Sequence, residues 1–217
     1  RAFVAKALYR YPTTSDLHRA LQSTTNLRRI CGFVIVSSLP SEATFSRAFA
    51  TFATGSLGNV VHDALVAEYL SHELIGHISR DSTAIVGREK PAKKAAKEPK
   101  PPRKRGRPAK GERREAAPLK RLDRQVHQTA EEAIGELPTV CDRGTKQNAK
   151  GYKTSWNGYK LHLDTNDIGL PISALVTSAS LHDSQVAIPL IKLTSNKVTY
   201  LYDLMDAAYD AQLITET

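Results

Sequence analysis

Residues 199–210 read Thr199-Tyr-Leu-Tyr-Asp-Leu-Met-Asp-Ala-Ala-Tyr-Asp210. The first half has strand character. Val198, Tyr200 and Tyr202 alternate with Thr199 and Leu201, and β-branched and aromatic side chains suit a pleated surface. The second half reads as a helix start, because Asp206 precedes Ala207 and Ala208 and Asp is a favoured N-cap. A carboxylate at the C-terminal end of a strand faces the crevice where open α/β sheets place ligands. Asp206 therefore has two readings, a metal-binding carboxylate or a plain helix cap.

The segments just upstream also read as alternating strand and helix. Residues 154–164 alternate, with Trp156, Tyr159, Leu161 and Leu163 as the expected buried set. Thr165-Asn-Asp-Ile-Gly169 is a turn signal, and residues 170–177 form the second strand of a hairpin. Asp183 or Ser184 then caps a helix carrying Val186, Ile188, Leu190, Ile191 and Leu193. Further upstream, residues 76–86 hold Ile78, Ile85 and Val86 around a polar centre and predict a strand containing Asp81. Asp is disfavoured within strands and, if buried, needs a partner or a metal. The alternative is a turn Asp between two short strands.

Between these segments the composition changes. From Arg88 to Arg124 there are sixteen Lys/Arg against five Asp/Glu, a net charge of +11, whereas the whole chain carries +9. The rest of the chain is therefore slightly acidic, and the basic character belongs to one segment that suits a polyanion. Residues 88–124 hold almost no large apolar residue and cannot bury a core, and residues 88–150 are expected to be a basic, largely disordered insertion. Residues 119–137 read as a short helix or as more linker, and residues 142–151 as a loop. Arg103, Lys104, Arg105, Gly106, Arg107, Pro108 and Lys110 resemble an AT-hook. Gly106 permits close approach, Pro108 keeps the chain extended, and the arginines lie along a narrow A·T minor groove. The alternative is a solvated charge run.

Residues 1–75 read as helical. Residues 13–16 offer caps before Leu17, Leu21 and Leu27, and Gly32 ends a short helix. Ser41 caps another, with Phe45, Ala48, Phe49 and Phe52 on one face, and residues 55–58 break the pattern before a helix from Val60 to Leu74. A helix-turn-helix and a plain helical bundle both fit.

The bulk composition excludes other classes. The 217 residues suffice for one domain plus a small one, and 41% apolar with 24% charged residues is globular in character. No run of about 18 apolar residues exists to form a membrane span. Cys31 and Cys141 lie far apart without zinc-ligand spacing, which points to a reducing, cytoplasmic setting. The first residue is Arg rather than Met, as expected of a sequence that starts inside a longer frame or after processing.

Taken in order, these segments resemble the DDE transposases of bacterial insertion sequences. The resemblance rests on Asp81-Ser-Thr, Gly158-Tyr-Lys-Leu-His162, Gly169-Leu-Pro171, His182-Asp-Ser184 and Asp206-Ala-Ala-Tyr-Asp210, across residues 76–217. It implies an α/β (α+β) fold, a ribonuclease-H-like mixed sheet with flanking helices, preceded by a small all-helical domain over residues 1–75 that binds element ends. It further implies that Asp81 and Asp206 are two members of an acidic triad that binds Mg²⁺ or Mn²⁺. Asp203 competes with Asp206 for that role. The third member, a Glu on a later helix, is expected beyond Thr217, since Glu216 follows Asp206 too closely. The expectation is of a C-terminally incomplete transposase acting on double-stranded DNA, a homodimer when active, in the nucleoid.

The chemistry supports this pattern independently. In-line attack on a phosphodiester needs charge stabilisation on the attacking and leaving oxygens, which two metal ions supply. Mg²⁺ prefers carboxylate oxygens and retains waters, so few carboxylates suffice. Lys160 and His162 are candidates for phosphate contact, with a satisfied strand surface as the alternative. A non-catalytic DNA-binding remnant is the competing function, and a metal-dependent nuclease a third.

Overall fold

A long strand, β1 (Leu74–Val86), runs through the centre of a mixed five-stranded sheet. The computed structural model describes residues 1–93, 118–148 and 150–217. On one edge β1 pairs antiparallel with β3 (Lys153–Thr165), with Asp81 opposite Leu163. On the other it pairs parallel with β5 (Thr199–Met205), with Arg80 opposite Met205. The far edge of β3 takes two strands end to end. β2 (Asp142–Gln147) lies along residues 153–158, and β4 (Pro171–Ser178) along residues 159–165. Gly158 sits at that junction with a φ of +151°, paired with Val86 on one side and Asp142 on the other. A Cβ there would collide with the Ile85 carbonyl and the Gly87 amide, so only glycine lets the three strands meet.

Strands β1, β3 and β4 thus form an antiparallel set, with β5 added parallel to β1. This is the expected mixed α/β sheet with flanking helices. The strand through Asp81 is continuous, which removes the turn alternative.

The crossover from β4 to β5 is α8 (Ser184–Ser195), whose Val186, Ala187, Ile188, Leu190 and Ile191 are buried. Pro189 lies inside this helix and cannot donate to the carbonyl of Gln185. The buried Gln125 amide donates to that carbonyl instead, at 2.9 Å, from α6 (Arg121–His127). Lys192 Nζ returns the favour, donating to the carbonyls of Gln125, Val126 and Gln128 at the end of α6. α7 (Ala130–Gly135) follows, capped by Thr129 and Glu132. Residues 119–137 are therefore largely helical, and the loop expected over residues 142–151 contains β2. The sequence of β2, Asp-Arg-Gly-Thr-Lys-Gln, carries no apolar alternation; pairing with β3 overrides that local signal. α9 (Gln212–Thr215) closes the described chain.

The burial of β3 is the reverse of the expected one. His162 and Asp164 are fully buried, whereas Trp156, Tyr159, Leu161 and Leu163 are only half-buried. Burying polar groups is tolerable when they are paired. Here Arg80 donates to Asp164 across 2.6 Å and lies 2.9 Å from Asp203, and both the Arg80 and Asp164 side chains are sealed from solvent. The Thr194 hydroxyl donates to Asp164 at 2.6 Å, and the Tyr200 hydroxyl donates to Asp203 at 3.2 Å. Burial pushes the Asp164 carboxyl above the usual carboxylate range, against the pull of Arg80 and Thr194. One guanidinium thus ties β1, β3, β5 and α8 together.

The chain divides into two compact units, Arg1–Leu65 and Val66–Thr217. The first unit contains α1 (Ala2–Leu8), α2 (Thr14–Ser23), α3 (Thr25–Ile30), α4 (Glu42–Thr54) and the start of α5 (Leu57–Leu70). Its core is Ala2, Ala5, Leu17, Leu21, Leu27, Cys31 and Phe45. Thr13 and Ser41 cap α2 and α4 through the amides of Asp16 and Thr44. Phe45 alone of the expected aromatic face is buried; Phe49 and Phe52 pack on Phe3 but stay about half exposed. Residues 31–41, with a 3-10 turn at Val36–Ser38, separate α3 from α4. That connection exceeds the roughly four-residue turn of a helix-turn-helix, so the helical bundle is the arrangement found. The break after α4 occurs at Ser56, which takes a φ of +51°, and Gly58 lies within α5. No described helix is long and apolar enough to cross a membrane.

Removing one partner of a buried ion pair strands the other. Asp164→Ala is expected to destabilise the sheet unit by about 3–5 kcal/mol. Thr194→Val, which removes one hydroxyl donor, costs about 1–3 kcal/mol. Urea unfolding followed by the single tryptophan, Trp156, measures both. Equal losses would contradict the central place of Arg80.

Candidate active site

The strand register brings the two candidate aspartates together. Arg80 and Met205 are partners across the parallel β1–β5 pair, so the next step along each strand is Asp81 and Asp206. Neighbouring strands lie about 4.8 Å apart. Asp206 leaves the strand in an extended conformation, and its Oδ1 accepts from the Ala208 amide at 2.9 Å, capping a 3-10 turn at Ala207–Tyr209. Asp81 Oδ1 accepts from the adjacent Ser82 amide at 2.6 Å. Both residues are exposed. Each carboxylate thus has one oxygen fixed by a backbone amide. The cap and the site reading of Asp206 are compatible, because a cap uses one oxygen of two.

Both aspartates line one cavity of about 570 Å³, whose wall also includes Lys160, His182, Asp183 and Lys146. Tyr209, in the 3-10 turn that Asp206 caps, is only 3% exposed. Burial raises the pKa of its phenol, and the nearby charges of Asp183, Asp81 and Asp206 raise it further against the pull of Arg80. Lys160 is half-buried; its ammonium sits 2.8 Å from Asp183 and donates to the Leu181 carbonyl at 2.9 Å. Asp183 occupies the N-cap position of α8 but makes no side-chain cap; its carboxylate goes to Lys160. The His182 ring pairs with the Ser184 hydroxyl at 2.9 Å.

The other candidates separate. His162 is fully buried, its Nε2 2.9 Å from the Thr177 hydroxyl and its Nδ1 4.0 Å from Asp183. It presents no surface to a phosphate, which corrects the expectation of DNA contact. The cause is the strand alternation that seats it on the buried side of β3, next to Asp164. Lys160, on the same side but nearer the cavity, stays at its wall. Asp203 belongs to the Arg80 pair and lies off the cavity, which leaves Asp206 as the strand-end carboxylate. Glu216 accepts from Gln212 on α9 and is not in the cavity wall. Arg103, Lys104, Arg105, Gly106, Arg107, Pro108 and Lys110 lie outside the described residues.

Among the described residues no group of three His, Cys, Asp or Glu is placed to hold a metal ion. Two aspartates with a free oxygen each, at an open polar cavity, are suitable hard ligands for Mg²⁺ or Mn²⁺, with water filling the remaining positions. The donor set therefore fits such an ion as a partial shell.

The acidic residue missed from sequence is Asp183. The His182-Asp-Ser184 stretch stood out as a helix start, and nothing local indicated that its carboxylate would turn to Lys160, two strands away in sequence.

Burial lowers the pKa of His162 to about 4 from an ordinary 6.5, with Lys160 lowering it too and Asp183 and Asp81 opposing. The unfolded chain therefore binds a proton first as pH falls. Stability is fully present above about 6.5 and declines from there down to about 4. The expected loss is roughly 3 kcal/mol at the acid end. Denaturation midpoints across that window test this, and His162→Gln should remove this part of the slope. An identical slope in the variant would show that His162 does not cause it.

Residues 122–216 match the family model described as transposase DDE domain. No curated protein and no solved structure matches the chain. The matched segment holds Lys160, Asp183 and Asp206, while β1 with Asp81 precedes it. It runs from α6 to the end of α9, and over that span the chain is similar to the transposase DDE domain family.

Proposed function

We propose that the protein is a DNA transposase that cleaves the ends of an insertion sequence and transfers the freed 3′-hydroxyls to target DNA. Asp81 and Asp206 are its metal-binding catalytic carboxylates. The observation that supports this reading is the β1–β5 register, which ends at Arg80 and Met205, one residue before Asp81 and Asp206, together with the presence of both aspartates in the wall of one cavity. The transposase DDE domain match supports it for the segment with Asp206.

Mg²⁺ or Mn²⁺, when bound, supplies charge stabilisation for the phosphoryl oxygens and activates the attacking hydroxyl. The chain's own contribution is position. Asp81 is held in β1 by its pairing with Leu163 on β3, and Asp206 by its cap. Held carboxylates need no reorganisation when charge develops. Lys160 adds a cation at the wall, balanced by Asp183, which suits a substrate phosphate. In the same reading the helical residues 1–75 bind element ends, residues 103–110 hold an A·T minor groove, and two copies act on paired ends.

Asp206→Asn keeps the cap oxygen and removes the charge. It is expected to abolish cleavage of element-end DNA in Mg²⁺ while leaving DNA affinity unchanged. Undiminished cleavage would remove Asp206 from the site. Deleting residues 103–110 is expected to weaken binding to A·T-rich duplex and to flatten the dependence of log affinity on log salt. An unchanged slope would exclude phosphate contacts by that segment.

A further inference from the structure

From Arg143 to Leu163 the chain carries five cations, Arg143, Lys146, Lys150, Lys153 and Lys160, and no carboxylate. Lys160 is engaged with Asp183. The other four are exposed, and none forms an ion pair among the described residues. Elsewhere in this unit several buried or half-buried cations are committed: Arg80 to Asp164, Arg124 to Glu136, Lys192 to three carbonyls. These four cations all belong to the β2–β3 hairpin.

This hairpin is a built element. Its turn is closed by the Asn148 carboxamide oxygen, which accepts from the amides of Lys150 and Tyr152, and by the Gly151 amide on the Asn148 carbonyl. Its base is anchored where the Trp156 indole lies across Gly144; a Cβ at Gly144 would come within 2.6 Å of the ring. The Ser180 hydroxyl donates to Asp142 at 2.6 Å and holds the same base. At its inner side Thr145, Lys146, Gln147 and Trp156 form part of the wall of the cavity that contains Asp81 and Asp206. At its tip Tyr152 is 70% exposed. A six-residue strand such as β2 is about 20 Å long, close to the length of six steps along one DNA strand.

We propose that the β2–β3 hairpin is a clamp on the DNA backbone. Arg143, Lys146, Lys150 and Lys153 bind phosphates of the duplex that runs past the Asp81–Asp206 cavity. The inference rests on the DNA-processing reading of that cavity. It assigns phosphate contacts to a part of the chain distinct from residues 103–110 and from the helical unit. Contacts of this kind position the duplex and carry no base specificity.

The test uses the full chain and a short, labelled, mixed-sequence DNA duplex. The variant combines Lys146→Ala, Lys150→Ala and Lys153→Ala, and a matching variant carries Lys→Arg at the same positions. Each neutralised phosphate contributes about 0.9 to the salt slope. The alanine variant is expected to flatten that slope by about two to three and to weaken binding at least tenfold near 0.1 M salt. The arginine variant should bind as the parent does. Unchanged Trp156 fluorescence confirms that the hairpin is still folded. Independently, a photo-crosslinking p-benzoylphenylalanine in place of Tyr152 is expected to capture the duplex. An unchanged slope and affinity in the alanine variant, or no crosslink from position 152, would overturn the clamp. If the clamp fails while Asp206→Asn still abolishes cleavage, only this inference falls. If the clamp holds while Asp206→Asn cleaves normally, the catalytic assignment falls instead.

Discussion

Arg80 is the side chain on which the sheet unit depends. A guanidinium sealed from solvent is costly unless its donors are taken up. Here the two terminal nitrogens are taken up by Asp164 on β3 and Asp203 on β5, while Thr194 on α8 holds Asp164 from the other side. That geometry permits one register of β1 against each neighbour. A slip of one residue would turn Arg80 to the opposite face and leave two carboxylates without their cation. The register in turn decides which residues follow Arg80 and Met205, and these are Asp81 and Asp206. The buried charge cluster and the exposed carboxylate pair are thus successive steps on the same two strands. One face of each strand fixes alignment, and the next residue presents the chemistry.

Other local departures serve the same arrangement. Pro189 frees a carbonyl within α8, and Gln125 fills the gap, so the helix covering the sheet is also the seat of α6. Asp183 forgoes its cap and goes to Lys160, which brings a neutralised pair to the cavity wall. Gly158 allows β1, β2 and β3 to meet where a side chain has no room. Each exchanges a routine helix or strand feature for a contact between elements distant in sequence.

Much of this was legible in the sequence. The strand character around residues 198–202, the hairpin at Thr165–Gly169 and the order of the elements follow from alternation and turn chemistry alone. Asp81 and Asp206 stood out as polar residues where propensity disfavours them or where strands end. The inverted burial of β3 was not legible, because alternation tells which residues share a face and not which face is covered. His162 and Asp164 lie inward because Thr177 and Arg80 satisfy them, and those partners are 15 and 84 residues away. β2 was missed for a related reason: a polar, basic hexapeptide has no hydrophobic period and becomes a strand only through pairing with β3. The same polarity that hid the strand makes its surface suitable for phosphate.

A metal-soaked crystal tests the central claim most directly. With Mn²⁺ added to the full chain, anomalous diffraction is expected to show a peak bound by carboxylate oxygens of both Asp81 and Asp206, at roughly 2.0–2.3 Å with waters completing the shell. A peak on only one aspartate with the other turned away, or none in the cavity at saturating Mn²⁺, would contradict a shared metal. It would leave Asp206 as the cap of its 3-10 turn alone.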